Sequence, residues 1–402
     1  MLIAGTGIAL LPSMKFGGST RVLVSAFCLA VGTVACTTVI EESDAADAVQ
    51  IKDVTEAERS DYVRRAQVWE KVDIRSRNLL AGPDAKGFKL NEEVSCIFAE
   101  PEKEEDLGGA SSKFKCTLPS GEVVKVKYGT GEGPDDNGEI YSEVLGTRLL
   151  WALGFYADTM YPVRVTCNNC PQDPWDYYKS FKEGQSPTGT RKKIYYKHAL
   201  IERKLAGSKI EATKDQGLDW GELKPSFGGL TKAHADGLKL FAAFIKHSDS
   251  KPSNQRLMCL ESGVTKDGKC TKPIGMIQDN GANFGSGNWV FSVKQARAQY
   301  NEWDRSIVWK DLSKCQAELR DQIDGTMTDP KVSEEGRAFL AGLLAQLSDE
   351  QIRQLFVVSR VEERGQEMRD QLSGLVRKVT VEDWVKLFKY KRDQIVRPKC
   401  PT

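Results

Sequence analysis

The order of hydrophobic patterns along the chain is the feature that most constrains its fold. Residues 93–128 show the two-residue alternation of strands separated by turns, and a helical pattern follows at Glu139–Leu153. Further strands are predicted at Tyr161–Val165 and Ile194–Glu202, and the chain is mainly helical from Thr231–Lys246 onward. Strands followed by helices predict an α+β fold with a strand-rich first half and a helical second half.

Other segments carry weaker local signals. Apolar residues at helical spacing among charges indicate a helix from about Ile51 to Leu80, and residues 171–190 are polar and are predicted to form a loop. In the second half, Ser348 and Thr380 each precede an apolar helical pattern and are predicted to be helix-capping residues.

The N-terminal residues 1–36 have the organisation of an export signal. Lys15 and Arg21 precede an apolar run, Val22–Ala35, that is too short for a comfortable membrane span. The tetrapeptide that ends at Cys36 is similar to a lipobox, so lipidation of Cys36 and membrane anchoring are one expectation; a buried N-terminal helix is the alternative. The acidic segment 37–60 is predicted to be a flexible spacer.

Export would place the cysteines in an oxidising compartment, where disulfides form. Beyond Cys36 the chain holds an even set of cysteines, and proximity in the sequence suggests the following pairs: Cys96–Cys116, Cys167–Cys170, Cys259–Cys270 and Cys315–Cys400. The sequence alone does not fix this connectivity. Cys167 and Cys170 could instead form half of a zinc site, but there are only three histidines and no second closely spaced cysteine pair.

The charge balance argues against nucleic acid as a main partner. The formal net charge is +1, with 28% charged and 40% hydrophobic residues, which is an ordinary globular composition. Proteins that bind nucleic acid usually carry a basic excess on one domain. Hydrolysis by a Cys-His or Ser-His pair is also poorly supported, because no histidine lies beside a nucleophile motif.

The segment 247–254 has the strongest chemical pattern, the sequence His-Ser-Asp-Ser-Lys-Pro-Ser-Asn. It resembles the catalytic loop of protein kinases, His-x-Asp-x-Lys-Pro-x-Asn, at every fixed position. The resemblance implies that Asp249 accepts the proton of the substrate hydroxyl and that Lys251 lies near the transferred phosphate. It also implies that Asn254 binds a metal ion and that His247 supports the loop.

A second pattern follows at residues 278–281, the sequence Gln-Asp-Asn-Gly after a strand-like run. Protein kinases have their metal-binding Asp-Phe-Gly at this place, so the resemblance implies that Asp279 binds metal. Here the sequence is Asp-Asn-Gly, with Asn-Phe-Gly following at 283–285. This resembles the secretory kinases of the Golgi casein kinase type. A tight turn without function is the alternative, because Asn-Gly is a common hairpin turn.

The strand before the predicted helix carries Lys125 and Lys127 on one face. Kinases hold their phosphate-binding lysine on such a strand and pair it with a glutamate of the next helix. By this resemblance, which extends to HipA-type kinases, we expect Lys127 to be the phosphate-binding lysine and Glu143 its partner. Glu139, one turn earlier, is the second choice.

Two more segments complete the expected nucleotide site. Gly109 and Ser111 lie between two predicted strands, where a phosphate-covering loop is expected to use backbone amides and hydroxyls. The segment that begins at Glu202 would connect the two lobes, and its backbone contacts adenine in the family.

The resemblance covers about residues 90–290. It implies a two-lobed protein-kinase-like fold, with an N-terminal helix and strand-rich lobe in 61–205 and a helical lobe in 206–402. The implied function is an exported ATP-dependent kinase that uses Mg²⁺ or Mn²⁺, located in the periplasm, in the outer membrane as a lipoprotein, or outside the cell. The acceptor, a protein or a small molecule, is not indicated. An exported pseudokinase and an AMP transferase on the same fold are the alternatives.

Overall fold

The computed structural model describes residues 51–83, 87–103, 107–109, 111–129, 136–187, 189–226, 228–286, 297–320, 325–369 and 374–401. The predicted export signal, Cys36 and most of the predicted spacer lie outside these ranges. Among the described residues, no helix has the length and apolarity needed to cross a membrane.

The first half contains the elements α1 Glu56–Arg65, β1 Glu93–Phe98, β2 Lys113–Thr117, β3 Val123–Tyr128, α2 Glu139–Leu153, β4 Thr159–Cys170, α3 Pro174–Lys182 and β5 Lys192–Arg203. The second half contains β6 Gly207–Lys209, α4 Lys232–Ile245, β7 Gln255–Leu260, β8 Pro273–Ile277, α5 Tyr300–Arg305, β9 Trp309–Asp311, β10 Gln316–Ala317, α6 Glu334–Leu344, α7 Asp349–Val358, β11 Glu367–Arg369, β12 Val376–Lys378 and α8 Val381–Val396. The predicted mixed α+β class is confirmed.

Five strands close into a barrel in the order β1-β2-β3-β5-β4. Neighbours pair antiparallel except β1 and β4, which run parallel. Alternate residues of each strand point inward and form an apolar core that includes Phe114, Val126, Val163, Val165 and Ile201. The residues between them on β2 and β3 face outward, and this outer face carries the predicted lysines.

A second, three-stranded sheet fixes the loops that carry the acidic motifs. β6, β7 and β8 pair antiparallel, and Gln255 at the start of β7 lies opposite Ile277 at the end of β8. The segment 247–254 immediately precedes β7, and the segment 278–281 immediately follows β8. Both segments therefore emerge at the same end of this sheet.

Helix α2 is buried on nearly every side, which is typical of a helix inside a core rather than on a surface. It contacts β4 and β5 of the barrel and also α7 of the helical half. Its apolar residues belong to the large core shared with α4 and α6–α8, not to the barrel interior. The helix therefore connects the barrel to the helical half of the chain.

All four disulfide pairs suggested by sequence proximity are formed, and the paired Cα atoms lie 5.3–5.7 Å apart. The pair Cys167–Cys170 therefore does not form half of a zinc site. Two bridges, Cys96–Cys116 and Cys167–Cys170, lie in barrel strands. The helix starts predicted from Ser348 and Thr380 are also present, each with a capping box.

Three local predictions are wrong. The predicted loop 171–190 contains α3, because the Asp173 side chain accepts from two backbone N–H groups and a proline occupies the first helical position. The helix predicted from about Ile51 to Leu80 is an α-helix only over Glu56–Arg65. The chain after it forms isolated bridges, such as Trp69 with Phe155, and a short 3-10 helix at Ile74–Ser76. Helix α1 begins inside the predicted spacer 37–60, where Thr55 forms a capping box.

Candidate functional site

The outward face of β2 and β3 concentrates four lysines. Lys113 lies opposite Lys127 in the antiparallel pairing, and Lys115 lies opposite Lys125. Lys127 is 4% exposed and Lys113 is 3% exposed, so both amines are removed from water. Buried ammonium groups need nearby anions or hydrogen-bond acceptors, and the partners of each lysine therefore show what the site can bind.

Lys127 contacts two carboxylates of helix α2. Its Nζ donates to Glu139 Oε1 at 2.6 Å and to Glu143 Oε1 in a still shorter contact. Residues four apart lie on the same face of a helix, so α2 presents both side chains to β3 together. The expected pair Lys127–Glu143 is thus brought together, and the second choice, Glu139, binds the same amine.

The charges of this cluster shift the pKa of each member. Burial alone would lower the pKa of Lys127, but Glu139 and Glu143 raise it well above its ordinary value. Burial raises the pKa of Glu143 to about 8, against the effect of Lys127. For Glu139, the effects of Lys127 and Arg297 exceed that of burial and lower the pKa. The Arg297 guanidinium lies 3.4 Å from Glu139.

The segment 247–254 is fixed by contacts at both ends. The buried His247 ring lies 3.0 Å from the Gln255 side chain, and its backbone N–H donates to Ala242 in α4. Asn254 donates from Nδ2 to the Asp249 carbonyl at 2.9 Å. The Asn254 carbonyl accepts from the N–H of Asp279 at 3.2 Å, so the two acidic segments are joined through their backbones.

Asp249 lies on this segment with its side chain 16% exposed. Burial raises its pKa above the ordinary range, and the nearby Asp279 acts in the same direction. Lys251 lowers that pKa, and its Nζ lies 3.2 Å from Asp249 Oδ1. A partly exposed carboxylate with a raised pKa and an adjacent ammonium is suited to accept a proton from a bound hydroxyl.

The Asp279 segment packs directly against α2. Ser142 of α2 donates to the Gly281 carbonyl at 2.7 Å, and Gly281 N–H donates to Asp279 Oδ1 at 2.8 Å. A Cβ at Gly281 would lie 2.7 Å from Glu139 Cγ, and a Cβ at Gly146 would lie 2.5 Å from the Asn283 amide. Glycine at both positions therefore allows the close approach of the segment to the helix.

This packing gathers three carboxylates in a small volume. Glu139, Glu143 and Asp279 each offer an oxygen, and these oxygens lie within 4.8 Å of one another. Glu143 Oε2 is buried and has no hydrogen-bond partner among the described residues. Hard oxygen ligands of this kind suit Mg²⁺ or Mn²⁺. The three clustered carboxylates and the unpartnered Glu143 oxygen therefore fit the expected divalent metal.

Glu202 is not in a free connecting segment, since it lies in β5 opposite Lys125. Lys125 Nζ lies 2.6 Å from Glu202, and Lys204 also contacts Glu202. A cavity of about 750 Å³ opens beside these ion pairs and is lined by residues including Leu107, Lys115, Val123, Lys125, Glu202 and Lys204. Any group that enters this cavity would meet the Glu202 side chain, whereas the sequence interpretation used only its backbone.

The predicted phosphate-covering residues lie between β1 and β2. Gly108 and Gly109 adopt positive φ angles of 61° and 63°, which glycine favours. Ser111 is buried, and its hydroxyl has no hydrogen-bond partner among the described residues. The structure thus places Ser111 and Gly109 in the loop that leads into the lysine-bearing strand β2.

Sequence reasoning missed Lys113. The two-residue period of β2 places Lys113 and Lys115 on one face, so the sequence indicated that these lysines share a face. Which of them meets Lys127 depends on the pairing register of β2 and β3, which the sequence does not give. Glu139 was considered only as a substitute for Glu143, yet both glutamates bind Lys127.

Comparison with known proteins adds little. No family model and no curated protein matches the chain. Among solved structures, the chain is similar to the Helicobacter pylori proinflammatory kinase CtkA, with 11% sequence identity and a TM-score of 0.37 over 76% of this chain and 96% of that chain. A likeness this weak carries no argument for a family or an activity.

Proposed function

We propose that this chain is an exported nucleotide-dependent phosphotransferase with a two-lobed protein-kinase-like fold, which transfers the γ-phosphoryl group of ATP to a hydroxyl acceptor. The observation that carries the proposal is the cluster of Glu139, Glu143 and Asp279 around Lys127, joined through backbone hydrogen bonds to the segment of Asp249. The four disulfides support export, because such bridges persist in oxidising compartments.

The roles follow from the charges that phosphoryl transfer requires. Asp279, with Asn254 or Glu143, would hold a Mg²⁺ or Mn²⁺ ion, which when bound neutralises charge on the phosphates. Lys127 would bind phosphate oxygens once its carboxylates turn toward the metal. Asp249 would accept the proton of the acceptor hydroxyl, and Lys251 would stabilise charge on the transferred group. In this scheme the bond from the γ-phosphorus to the bridging oxygen breaks as the bond to the acceptor oxygen forms.

One observation favours a binding protein without turnover. Both carboxylates near Lys127 already occupy its amine, and such a closed cluster can be a stable end state. A pseudokinase of this kind would bind a partner without transferring phosphate. An AMP transferase would use the same residues with the nucleotide in a different orientation, so it is separated from a kinase only by its product.

The experiment is a thermal-shift screen of the folded exported chain with nucleotides, each with Mg²⁺, Mn²⁺ or a metal chelator. A ligand at about 100 times its Kd adds about 2.7 kcal/mol to the free energy of unfolding. We expect ATP with metal to raise the melting temperature by roughly several °C, and the chelator to remove the shift. No shift with any nucleotide would contradict the proposal.

Mass spectrometry after incubation with ATP and metal then distinguishes the three activities. An added phosphoryl group on the chain or on a generic acceptor indicates a kinase, and an added adenylyl group indicates an AMP transferase. Asp249→Asn is the control, because it should bind ATP as the wild type does while losing transfer. Binding without modification in the wild type would favour the pseudokinase.

A further inference from the structure

Lys113 differs from the other lysines for which the structure gives partners on this face. Lys127 contacts Glu139 and Glu143, and Lys125 contacts Glu202. No carboxylate among the described residues lies within ion-pair distance of Lys113. Its amine donates instead to the Gly108 carbonyl and lies 5.1 Å from the centre of the Trp175 ring. Among the described residues, the Lys113 amine is therefore held by a carbonyl and an aromatic ring and not by a direct ion pair.

The surroundings of Lys113 make that charge unfavourable. Lys113 is 3% exposed and lies directly opposite Lys127. Burial, followed by the repulsion of Lys127, lowers the pKa of Lys113 to about 8, although Glu139 and Glu143 act in the opposite direction. A buried ammonium that lacks a direct ion pair is costly, so a side chain that served only packing would be better apolar. An anionic ligand would give the Lys113 amine a direct ionic partner.

The loop before β2 packs against the Lys113 amine. A Cβ at Gly109 would lie 3.2 Å from Lys113 Nζ, so the loop backbone approaches the amine closely. The next described residue of the loop, Ser111, has a buried hydroxyl without a hydrogen-bond partner among the described residues. A buried amine and a nearby unpartnered hydroxyl are both donors for phosphate oxygens.

We propose that Lys113 is a second phosphate-binding cation of the nucleotide site, which binds the β- or γ-phosphate from strand β2 while Lys127 binds from strand β3. This inference rests on the proposed function and extends it. On binding, the amine exchanges the Gly108 carbonyl for a phosphate oxygen, and the Ser111 hydroxyl is a further donor. The site therefore selects nucleotides by the number of their phosphates.

The test compares ATP and AMP by isothermal titration calorimetry with the full exported chain. Lys113→Met removes the charge, and a hydrogen bond to a charged group contributes about 1.5–3 kcal/mol. We expect the Kd of metal-bound ATP to rise by about ten- to a hundredfold, while the Kd of AMP changes less than twofold. Lys193→Met, at an exposed lysine of β5, controls for the loss of one positive charge.

Lys113→Gln separates ligand binding from a structural role. Glutamine can still donate to the Gly108 carbonyl, so it preserves a contact that merely holds the loop. We expect this variant to lose ATP affinity as Lys113→Met does, with a melting temperature of the free protein equal to or above that of the wild type. Normal ATP affinity in Lys113→Gln would overturn the inference, as would an equal loss for ATP and AMP.

Nucleotide binding by the wild type distinguishes a failure of the proposed function from a failure of the role of Lys113. If the wild type binds ATP and neither Lys113 variant weakens it, the role of Lys113 fails and the proposed function remains. If the wild type binds no nucleotide, the proposed function fails and the role of Lys113 fails with it.

Discussion

Two rows of lysines on the same face of the barrel have different partners. We call Lys113 and Lys127 the α2 row, after the helix beside them. We call Lys115 and Lys125 the hinge row, because Lys125 contacts Glu202, where the segment connecting the two lobes was predicted to begin. In the α2 row, Lys127 binds two glutamates of α2, close to Asp279. In the hinge row, Lys125 binds Glu202 of the neighbouring strand β5. The rows lie two residues apart on the same strands.

The difference shows that the neighbouring element decides what a strand lysine can do. In the hinge row, burial lowers the pKa of Lys125 and its contact with Glu202 opposes that change, so the partner of Lys125 lies on the neighbouring strand. In the α2 row, three carboxylates and two amines share one region. Only this second arrangement combines oxygen ligands for a metal with cations for phosphate.

Asp279→Ala should have the largest effect, because it removes a proposed ligand of the metal ion beside the α2 row. We expect metal-dependent ATP binding and phosphoryl transfer to be abolished, as measured by calorimetry and by transfer of radiolabelled phosphate. The hinge row should be unaffected. Circular dichroism should show that the fold is retained, because Asp279 is not part of a helix or strand.

Undiminished metal-dependent binding in Asp279→Ala would remove the metal assignment. It would also remove the proposed difference between the two rows, since no metal ion would then be bound beside the α2 row. A matched variant is Asp267→Ala, at an exposed aspartate in the β7–β8 connection, at the other end of these strands from the acidic motifs, which should bind ATP normally.

Lys127→Met and Lys125→Met compare the two rows directly. Lys127→Met should lower phosphoryl transfer by about a hundredfold or more, because a charged contact with the transferred phosphates is lost. Lys125→Met should have a smaller effect, mainly on nucleotide affinity, because Lys125 lines the cavity beside Glu202. Steady-state kinetics that separate kcat from KM measure both effects. A larger loss of kcat in Lys125→Met would assign the phosphate site to the hinge row.

The elements on which this comparison depends were predictable where their signals are local. Helix α2 spans Glu139–Leu153 as predicted, because its apolar pattern is strong and Gly154 ends it in a left-handed conformation. The segment 247–254 is contiguous, so its residues stay together whatever the rest of the chain does. The disulfide pairs were also suggested by sequence proximity, although Cys315 and Cys400 lie 85 residues apart.

The parts that escaped prediction depend on contacts between distant segments. The parallel pairing of β1 with β4 closes the barrel, and nothing in either strand alone indicates it. The position of Lys113 beside Lys127 depends on strand register, and the double contact of Lys127 depends on how α2 is rotated against β3. Helix α3 was missed because its capping residue, Asp173, was overlooked.

Reduction of the disulfides should affect the fold that carries both rows. Removing a native disulfide typically costs about 2–5 kcal/mol of the free energy of unfolding. Cys96–Cys116 joins β1 to β2, the strand that carries Lys113 and Lys115. We expect a reducing agent to lower the melting temperature by several °C, as measured by scanning calorimetry. An unchanged melting temperature under conditions that reduce all eight cysteines would show that the bridges do not stabilise the barrel.

Lowering the pH should have the smallest effect, a loss of folding stability through His247, whose segment faces the α2 row. Burial lowers the pKa of His247 from 6.5 to about 4, so the folded protein favours the neutral ring. The free energy of unfolding therefore keeps its full value above pH 6.5. It decreases as the pH falls from 6.5 toward 4, because the unfolded chain binds a proton at His247 that the folded chain does not. The shift corresponds to about 3 kcal/mol at most. Denaturant unfolding at several pH values measures it, and His247→Gln should flatten this part of the profile.

The most direct test of the central claim is to locate a manganese ion in crystals grown with Mn²⁺ and a non-hydrolysable ATP analogue. We predict an anomalous-scattering peak bound by Asp279 and by oxygens of the analogue, with the phosphates contacting Lys127. A nucleotide bound elsewhere, or a manganese ion that does not contact Asp279 while Lys127 keeps both glutamates, would contradict the account.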